Sequence, residues 1–282
     1  MASSSGHPDG AVSTIALDYP VRPRSRFGWG RPGHPQLEAL LETGRARYAA
    51  HLDALLEHAA ALCAIPAELP DADPGPRWRN LFLPGLDAAA LYAFVARRRP
   101  RTYIEVGSGN STSFARRAVE DHGLATRIVS IDPHPRAEID AICDEVVRAP
   151  LEDCDLDRFA ALGAGDVVFV DNSHRLLPNS DATVTFLEVL PRLAPGVLLQ
   201  LHDIWLPDDY PDAWNDRFYS EQYALATFLL GGAAGWTVEL PCWFVSRDPE
   251  LSGRVAPLFE DPRFDAVERH GGSFWMERAP LS

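Results

Sequence analysis

The tightest constraint on this chain is a glycine turn set between a short apolar run and an amphipathic segment, Tyr103 to Arg117, YIEVGSGNSTSFARR. Glycine is needed where the backbone takes a positive φ or must lie against a ligand, and Gly107 and Gly109 flank such a turn. The same texture of strand, turn and helix repeats downstream. RIVSIDP reads as a second strand with a helical segment from Arg136, and EVVRAP as a short third strand. GDVVFVDNSH reads as a fourth, followed by a helix through SDATVTFLEVLPRL, and GVLLQLHDIW as a fifth. Short apolar strands separated by helices, without strict alternation, imply a mostly parallel α/β sheet covered on both faces.

The flanks differ in character. Residues 1–35 are rich in Gly, Pro, Ser and Arg and read as a flexible arm or one draped over the surface. Between Gln36 and Cys63, leucines and Tyr48 recur at helical spacing, which predicts one long amphipathic helix or two joined ones. Gly85 to Pro100 reads as a helix with basic residues near its C-terminal end. In the tail, Trp214 to Leu230 reads as helix, WTVELPCWFVS as a strand and GGSFWMERA as its antiparallel neighbour. The expected organisation is an arm over 1–35, a helical extension over 36–95 and a ligand-binding α/β domain over 96–282.

Twenty-six basic against forty acidic side chains leave a net charge of -14, which disfavours general binding to nucleic acid or an anionic membrane. No stretch has the roughly 18–20 continuous apolar residues that a membrane span needs, and the first thirty residues lack a signal-peptide core. Cys63, Cys143, Cys154 and Cys242 are scattered and fit free thiols in a reducing cytoplasm. A cytoplasmic enzyme is the expectation, with homodimerisation through the N-terminal helices left open.

Asp132 ends the second predicted strand, where an acid can accept both ribose hydroxyls of an adenosyl ligand. A dinucleotide would want a third glycine, so that the helix N-terminus approaches a pyrophosphate. Thr112 stands there instead, and Glu105 precedes the turn, an acid that a pyrophosphate would not welcome. S-adenosylmethionine has no pyrophosphate; its zwitterionic amino-acid end suits Glu105 or a turn network that Glu105 holds. Asn110 and Ser111 add short polar side chains without filling the pocket.

Together YIEVGSGNSTSFARR, IVSIDPHPR, DVVFVDNSHR and LAPGVLLQLHDIWLP resemble the class I methyltransferases. Within these they resemble a bacterial branch with a methyltransferase domain of type 24, near the small-molecule O-methyltransferases. The resemblance covers about residues 98–210 well, the tail less well and the N-terminal helices not at all. It implies a Rossmann-like, mostly parallel seven-stranded sheet in order 3-2-1-4-5-7-6, the last strand antiparallel and helices on both faces. It also implies that Glu105, Gly107, Gly109 and Asn110 hold the methionine moiety and Asp132 the ribose. Leu151 and Glu152 would lie near the adenine, and the loop from Asp171 would pass close to the sulfonium.

Methyl transfer asks the protein to align the acceptor, exclude water and often remove a proton. Candidate groups stand at the ends of the fourth and fifth strands: Asp171 and His174, then His202 and Asp203. One reading makes Asp171, His202 and Asp203 ligands of a divalent metal. The catechol-type O-methyltransferases use an Asp after the fourth strand and an Asp-Asn pair after the fifth to hold Mg²⁺; Asp171 matches the first position, and His202-Asp203 departs from the pair, so that Asp203 could coordinate with the register shifted or the ligand type changed. With histidine in place of an oxygen ligand, Mn²⁺, Fe²⁺ or Zn²⁺ suits the set better than Mg²⁺. The other reading makes His174 or His202 a general base oriented by Asp171 or Asp203. Adjacent strand residues face opposite ways, so His202 and Asp203 can share a site only at the strand's end.

Tyr210, Trp214, Tyr219, Glu221, Gln222 and Tyr223 follow as candidates for a roof over the pocket, while Asp208 and Asp209 read first as solvated charge. The leading expectation is methylation of a hydroxyl on a small metabolite or natural product. N- or C-methylation of a small molecule or peptide is the nearest alternative. A catalytically silent cofactor-binding partner protein is the reading from a different class.

Overall fold

The computed structural model describes residues 15–70, 72–135 and 138–280. The first part of the N-terminal arm, residues 1–14, and the expected helix start at Arg136 lie outside the described residues. Seven strands form one sheet: β1 (Thr102–Val106), β2 (Arg127–Ile131), β3 (Glu145–Val147), β4 (Val167–Val170), β5 (Leu198–Leu201), β6 (Trp236–Pro241) and β7 (Phe274–Arg278). Their order is β3-β2-β1-β4-β5-β7-β6, as the resemblance implies. Strands β1 to β5 pair in parallel, and β7 runs antiparallel to both β5 and β6.

The central strands VVFV and LLQL are wholly buried, which is why they read as unbroken apolar runs rather than alternating ones. Gln200 is the polar exception, and it is satisfied: its Nε2 donates to Ser273 Oγ at 2.8 Å and its Oε1 accepts from Val170 N at 3.2 Å.

One rung beyond each parallel strand the ladder continues and brings the functional positions into line. Gly107 N donates to Ile131 O, Asp132 N to Val147 O, Asp171 N to Val106 O and His202 N to Val170 O, at 2.8–3.1 Å. The residues that follow the strands therefore share one edge of the sheet, its carboxyl end, where open α/β sheets bind ligands.

The helical extension is three short helices rather than one or two: α1 (Pro35–Glu42), α2 (Arg45–Leu56) and α3 (Ala59–Ala64). The first break falls at Gly44, a poor helix former, where a Cβ would meet the Tyr48 side chain, its hydroxyl included, at 2.3–2.6 Å. Next, α4 (Gly85–Arg98) is buried from Gly85 to Ala96. It packs against α5 (Asn110–Asp121), α2 and the sheet: the Tyr92 hydroxyl donates to Asp121 Oδ2 at 2.7 Å, and the Phe94 ring lies 4.6 Å from that of Trp275. This helix crosses residue 95, where the sequence suggested a division.

Three other local expectations are corrected. After β2, only a single turn, Asp140–Ile142, is helical among the described residues, because Pro133 and Pro135 bias the residues before them away from helix. WTVELPCWFVS is a strand only to Pro241, after which Cys242–Arg247 is helical. The segment from Trp214 splits into a tight turn at Asp212–Arg217 and a helix at Glu221–Leu230, divided where Phe218 takes φ 52°. Among the described residues no helix is long and apolar enough to cross a membrane.

Candidate active site

A cavity of about 320 Å³ opens at the carboxyl end of β1, β2 and β4. Its walls include Gly107, Gly109, Asn110, Ser111, Asp132 and Asp171, six of the residues that the sequence assigned to the cofactor. Gly107 has φ +77°, and a Cβ there would come within 1.8 Å of the Asp171 carbonyl oxygen, so no other residue fits. At Gly109 a Cβ would meet nothing within 4 Å, so its face of the turn is open to a ligand. Both Asp132 carboxylate oxygens accept backbone N–H groups, from Ser108 and from His134 at 2.8 Å each, which fixes the carboxylate against the cavity. Leu151 and Glu152 line the same wall, and Glu152 Oε2 is buried without a hydrogen-bond partner among the described residues.

Glu105 does not line the cavity. It is fully buried beneath the turn, accepting from the Thr112 hydroxyl and from Tyr103 Oη, and Thr112 Oγ1 in turn accepts from Gly109 N at 3.1 Å. Burial pushes its carboxyl up to about 8, against the lowering effect of the Ser111, Thr112 and Tyr103 hydroxyls. Of the two roles open to Glu105 in the sequence, the geometry is that of the turn network. Arg77, Phe82 and Leu83, from the segment before α4, also border the cavity and were not anticipated. Trp78 anchors that segment: its ring lies 5.2 Å from Phe114 and 4.8 Å from Phe264, and its Nε1 donates to Leu62 O.

Beside the cavity, Asp171, His174, His202 and Asp203 converge. His174 Nε2 lies 3.2 Å from Asp171 and 3.4 Å from Asp203. His202 Nδ1 lies 3.5 Å from Asp171 and 3.6 Å from Asp203. Convergence is possible because β5 ends at Leu201 and Asp203 takes φ 55°, which turns its side chain back toward His202. His174 also has positive φ, 59°, held by Asn172 Oδ1 accepting from its backbone N–H at 2.8 Å. Such backbone is costly, about 1–3 kcal/mol per residue, and clusters at functional sites.

Each imidazole has its other nitrogen on a buried acid. His174 Nδ1 lies 2.9 Å from Glu221 Oε2, and His202 Nε2 lies 3.3 Å from Asp87 Oδ2. Glu221 also accepts from Asn172 Nδ2 at 3.0 Å; Asp87 accepts from Gly272 N and Ser273 N at 2.7 and 2.9 Å. Sequence reasoning named Glu221 only as part of a roof and did not find Asp87. The available signal was an acid inside the alanine-rich apolar run GLDAAALYAFV, where an unpaired charge would be expensive.

Burial opposes charge on both histidines, yet the surrounding carboxylates outweigh it, Asp171 foremost, and hold both well above the ordinary histidine value. Burial likewise opposes charge on Asp171, but His202 and His174 hold it well below the usual range. Asp203 is pushed up by burial and by the neighbouring acids Asp171 and Asp87. Asp171, His202 and Asp203 each offer one ligand atom within 4.8 Å of the others, a set that fits a divalent cation. His202 has the outer carboxylate that metal-bound histidines commonly have.

The roof is aromatic. Tyr219 lies 4.7 Å from the His174 ring, with Tyr210 and Trp214 5.8 and 5.7 Å from Tyr219. Gln222 is buried and its Oε1 accepts from Trp205 N at 2.9 Å, while Tyr223 is 45% exposed and its hydroxyl donates to Asp209 Oδ1 at 3.2 Å. Asp208 and Asp209 are not solvated charge but buried ties. Asp208 accepts from Trp243 Nε1 and pairs with Arg247 at 3.1 Å. Asp209 accepts from the backbone of Arg26 and Phe27, so residues 25–27 lie across the roof rather than free of it.

Residues 104–204 match the family of methyltransferase domains. The chain is similar in structure to a methyltransferase of Podospora anserina, 18% identical over 66% of this chain and 82% of that one, with a TM-score of 0.38. An O-methyltransferase of Streptomyces achromogenes involved in tomaymycin synthesis is 17% identical over 80% and 90%, TM-score 0.42. An O-methyltransferase of Bacillus cereus is 16% identical over 82% and 91%, TM-score 0.44. No curated protein matches the sequence.

Proposed function

We propose that this chain, a class I methyltransferase by the order of its sheet and the match over residues 104–204, moves the methyl group of S-adenosylmethionine to a hydroxyl oxygen of a small metabolite, assisted by a divalent cation. The observation that carries this reading is the double position of Asp171, which borders the cofactor cavity and belongs to the candidate cation set.

S-adenosylmethionine supplies an already activated methyl group, and a divalent cation supplies Lewis acidity toward an acceptor hydroxyl. The remaining work falls to the chain's own side chains. Asp132 accepts ribose hydroxyls with the lone pairs that its backbone donors leave free, and the open face of Gly109 admits close approach of the ligand. The orphaned Glu152 oxygen suits an amino group of the adenine. Asp87 holds Nε2 of His202 so that Nδ1 faces Asp171 and Asp203, the nitrogen that would complete the ligand set. His174, fixed by Glu221 and facing the same two aspartates, would take the acceptor's proton once a bound cation replaces the proton that these carboxylates otherwise hold on it. Tyr219, Tyr210 and Trp214 exclude water above it.

Carboxylates on both sides of each imidazole favour positive charge at this place, which a bound cation satisfies as well as a proton does. The mixed nitrogen and oxygen donors suit Mn²⁺, Fe²⁺ or Zn²⁺ better than Mg²⁺. An amine acceptor would have less need of such a site, so metal binding separates the oxygen reading from the nitrogen one.

The test is titration of chelator-treated protein with Mn²⁺, read by electron paramagnetic resonance, beside Asp203→Ala. One Mn²⁺ per chain, lost in the variant, is expected. If protein that binds S-adenosylhomocysteine takes up none of Mn²⁺, Fe²⁺ or Zn²⁺ saturably, cation-assisted O-methylation is wrong and N-methylation replaces it.

A further inference from the structure

Two guanidinium groups stand in the roof beside the reaction centre. Arg175 directly follows His174, and Arg217 ends the turn Asp212–Arg217. They are tied to each other through the backbone: Arg175 Nε donates to the Arg217 carbonyl oxygen at 2.8 Å, and Nη1 to Ser173 O at 3.3 Å. Both lie on the same aromatic ring. The guanidinium carbons of Arg175 and Arg217 are 5.1 and 5.6 Å from the Tyr219 centroid, and Arg217 is 4.4 Å from that of Trp214. Tyr219 is also the ring packed 4.7 Å from the His174 imidazole.

Neither guanidinium has a carboxylate within salt-bridge distance among the described residues, although acids outnumber bases forty to twenty-six. Among the described residues Arg116 pairs with Asp144, Arg148 with Asp140 and Arg158 with Glu145, whereas Arg97, Arg99 and Arg269 share with these two the lack of a carboxylate, so what sets the pair apart is the shared Tyr219 ring. Arg175 is half-buried and Arg217 exposed, and both guanidinium carbons lie within cation–π distance of the Tyr219 ring. Their N–H groups that make no hydrogen bond within the protein among the described residues can fork onto a planar or tetrahedral oxyanion. A pair of cations beside the ring that packs on His174 adds positive potential on one side of the centre and sets the direction from which a negatively charged acceptor enters.

We propose that Arg175 and Arg217 recognise an oxyanion group, a carboxylate or a phosphate, carried by the acceptor, so that the substrate class is a hydroxylated acid rather than a neutral metabolite. This rests on the methyltransferase reading and narrows its substrate. The hydroxyl that receives the methyl group lies toward Asp171 and His174, and the anionic end toward the two guanidiniums.

The test uses the full chain. S-adenosylhomocysteine is titrated in first by calorimetry. The saturated protein is then titrated with inorganic phosphate in one arm and malonate in another, in chloride-free buffer without added metal. Saturable one-site binding in at least one arm is expected, and the tighter arm tells phosphate from carboxylate. Arg217→Gln, whose guanidinium makes no hydrogen bond within the protein among the described residues, weakens the anion about ten- to hundred-fold. Its S-adenosylhomocysteine affinity stays within about twofold, and Arg217→Lys falls between the two because it keeps the charge but not the fork. Saturation by neither anion, or equal affinity in Arg217→Gln, overturns the proposal while leaving the methyltransferase reading standing. Failure of S-adenosylhomocysteine to bind the folded protein overturns that reading and the proposal with it.

Discussion

Glu105 shows what a single buried acid does for the glycine turn over Gly107 and Gly109. Its carboxyl joins Thr112 and Tyr103 under the glycines, and burial pushes it up to about 8 from an ordinary 4.5. A group raised in the folded state contributes stability that is full below its unfolded value and is lost as the pH climbs through its folded value. Relative to Glu105→Gln, which cannot ionise, the native protein should therefore lose stability between about pH 4.5 and 8, by a few kcal/mol in order of magnitude. Urea unfolding of both proteins at pH 5 and pH 8.5 checks this, and parallel pH profiles would contradict it. The sequence displayed Glu105 as an acid before a glycine turn, but whether it faced the ligand or the turn depended on side-chain direction beneath the sheet edge. Gly107 was legible for a stronger reason: a positive φ against the Asp171 carbonyl leaves room for no other residue.

At the scale of elements, the strand ends were readable because parallel, doubly covered strands leave an unmistakable apolar signature, and VVFV and LLQL deliver Asp171, His174, His202 and Asp203 to one edge. Less readable was what lies across from them. Asp87 belongs to α4, 115 residues before His202 in the chain, and no periodicity links the two. The helix nevertheless closes the centre, because Asp87 ties His202 to the start of β7 through Gly272 N and Ser273 N. Burial opposes its charge, but His202 and those two N–H groups hold its carboxyl below the usual range. Asp87→Asn turns an amide donor toward one of those backbone donors and removes the charge beside His202. It should cost about 3–5 kcal/mol of stability and weaken Mn²⁺ about 10–100-fold. Denaturation and metal titration of the variant measure both, and an unchanged Mn²⁺ affinity would remove Asp87 from the account of the site. Boundaries failed where short-range chemistry competes, as at Gly44, at the prolines after β2 and at Pro241.

For the whole molecule, the sheet order was legible from the sequence of motifs, whereas the extension's part in the site was not. Trp78 packs on α5 and so brings Arg77, Phe82 and Leu83 to the cavity over Gly107 and Asp132, while α4 supplies Asp87 to the cluster of His174 and His202. One body thus serves both ends of the site. Its overall charge of -14 describes the surface, not the roof, where Arg175 and Arg217 share Tyr219. All of this depends on the cavity over Gly107, Gly109 and Asp132 being the S-adenosylmethionine site. The most direct measurement is calorimetric titration of the protein with S-adenosylhomocysteine beside Asp132→Ala, with folding of both checked by circular dichroism. The account predicts a single saturable site, weakened at least about 30-fold in the variant, as the loss of a carboxylate accepting ribose hydroxyls implies. Absence of binding by the folded native protein, or equal affinity in Asp132→Ala, would contradict it.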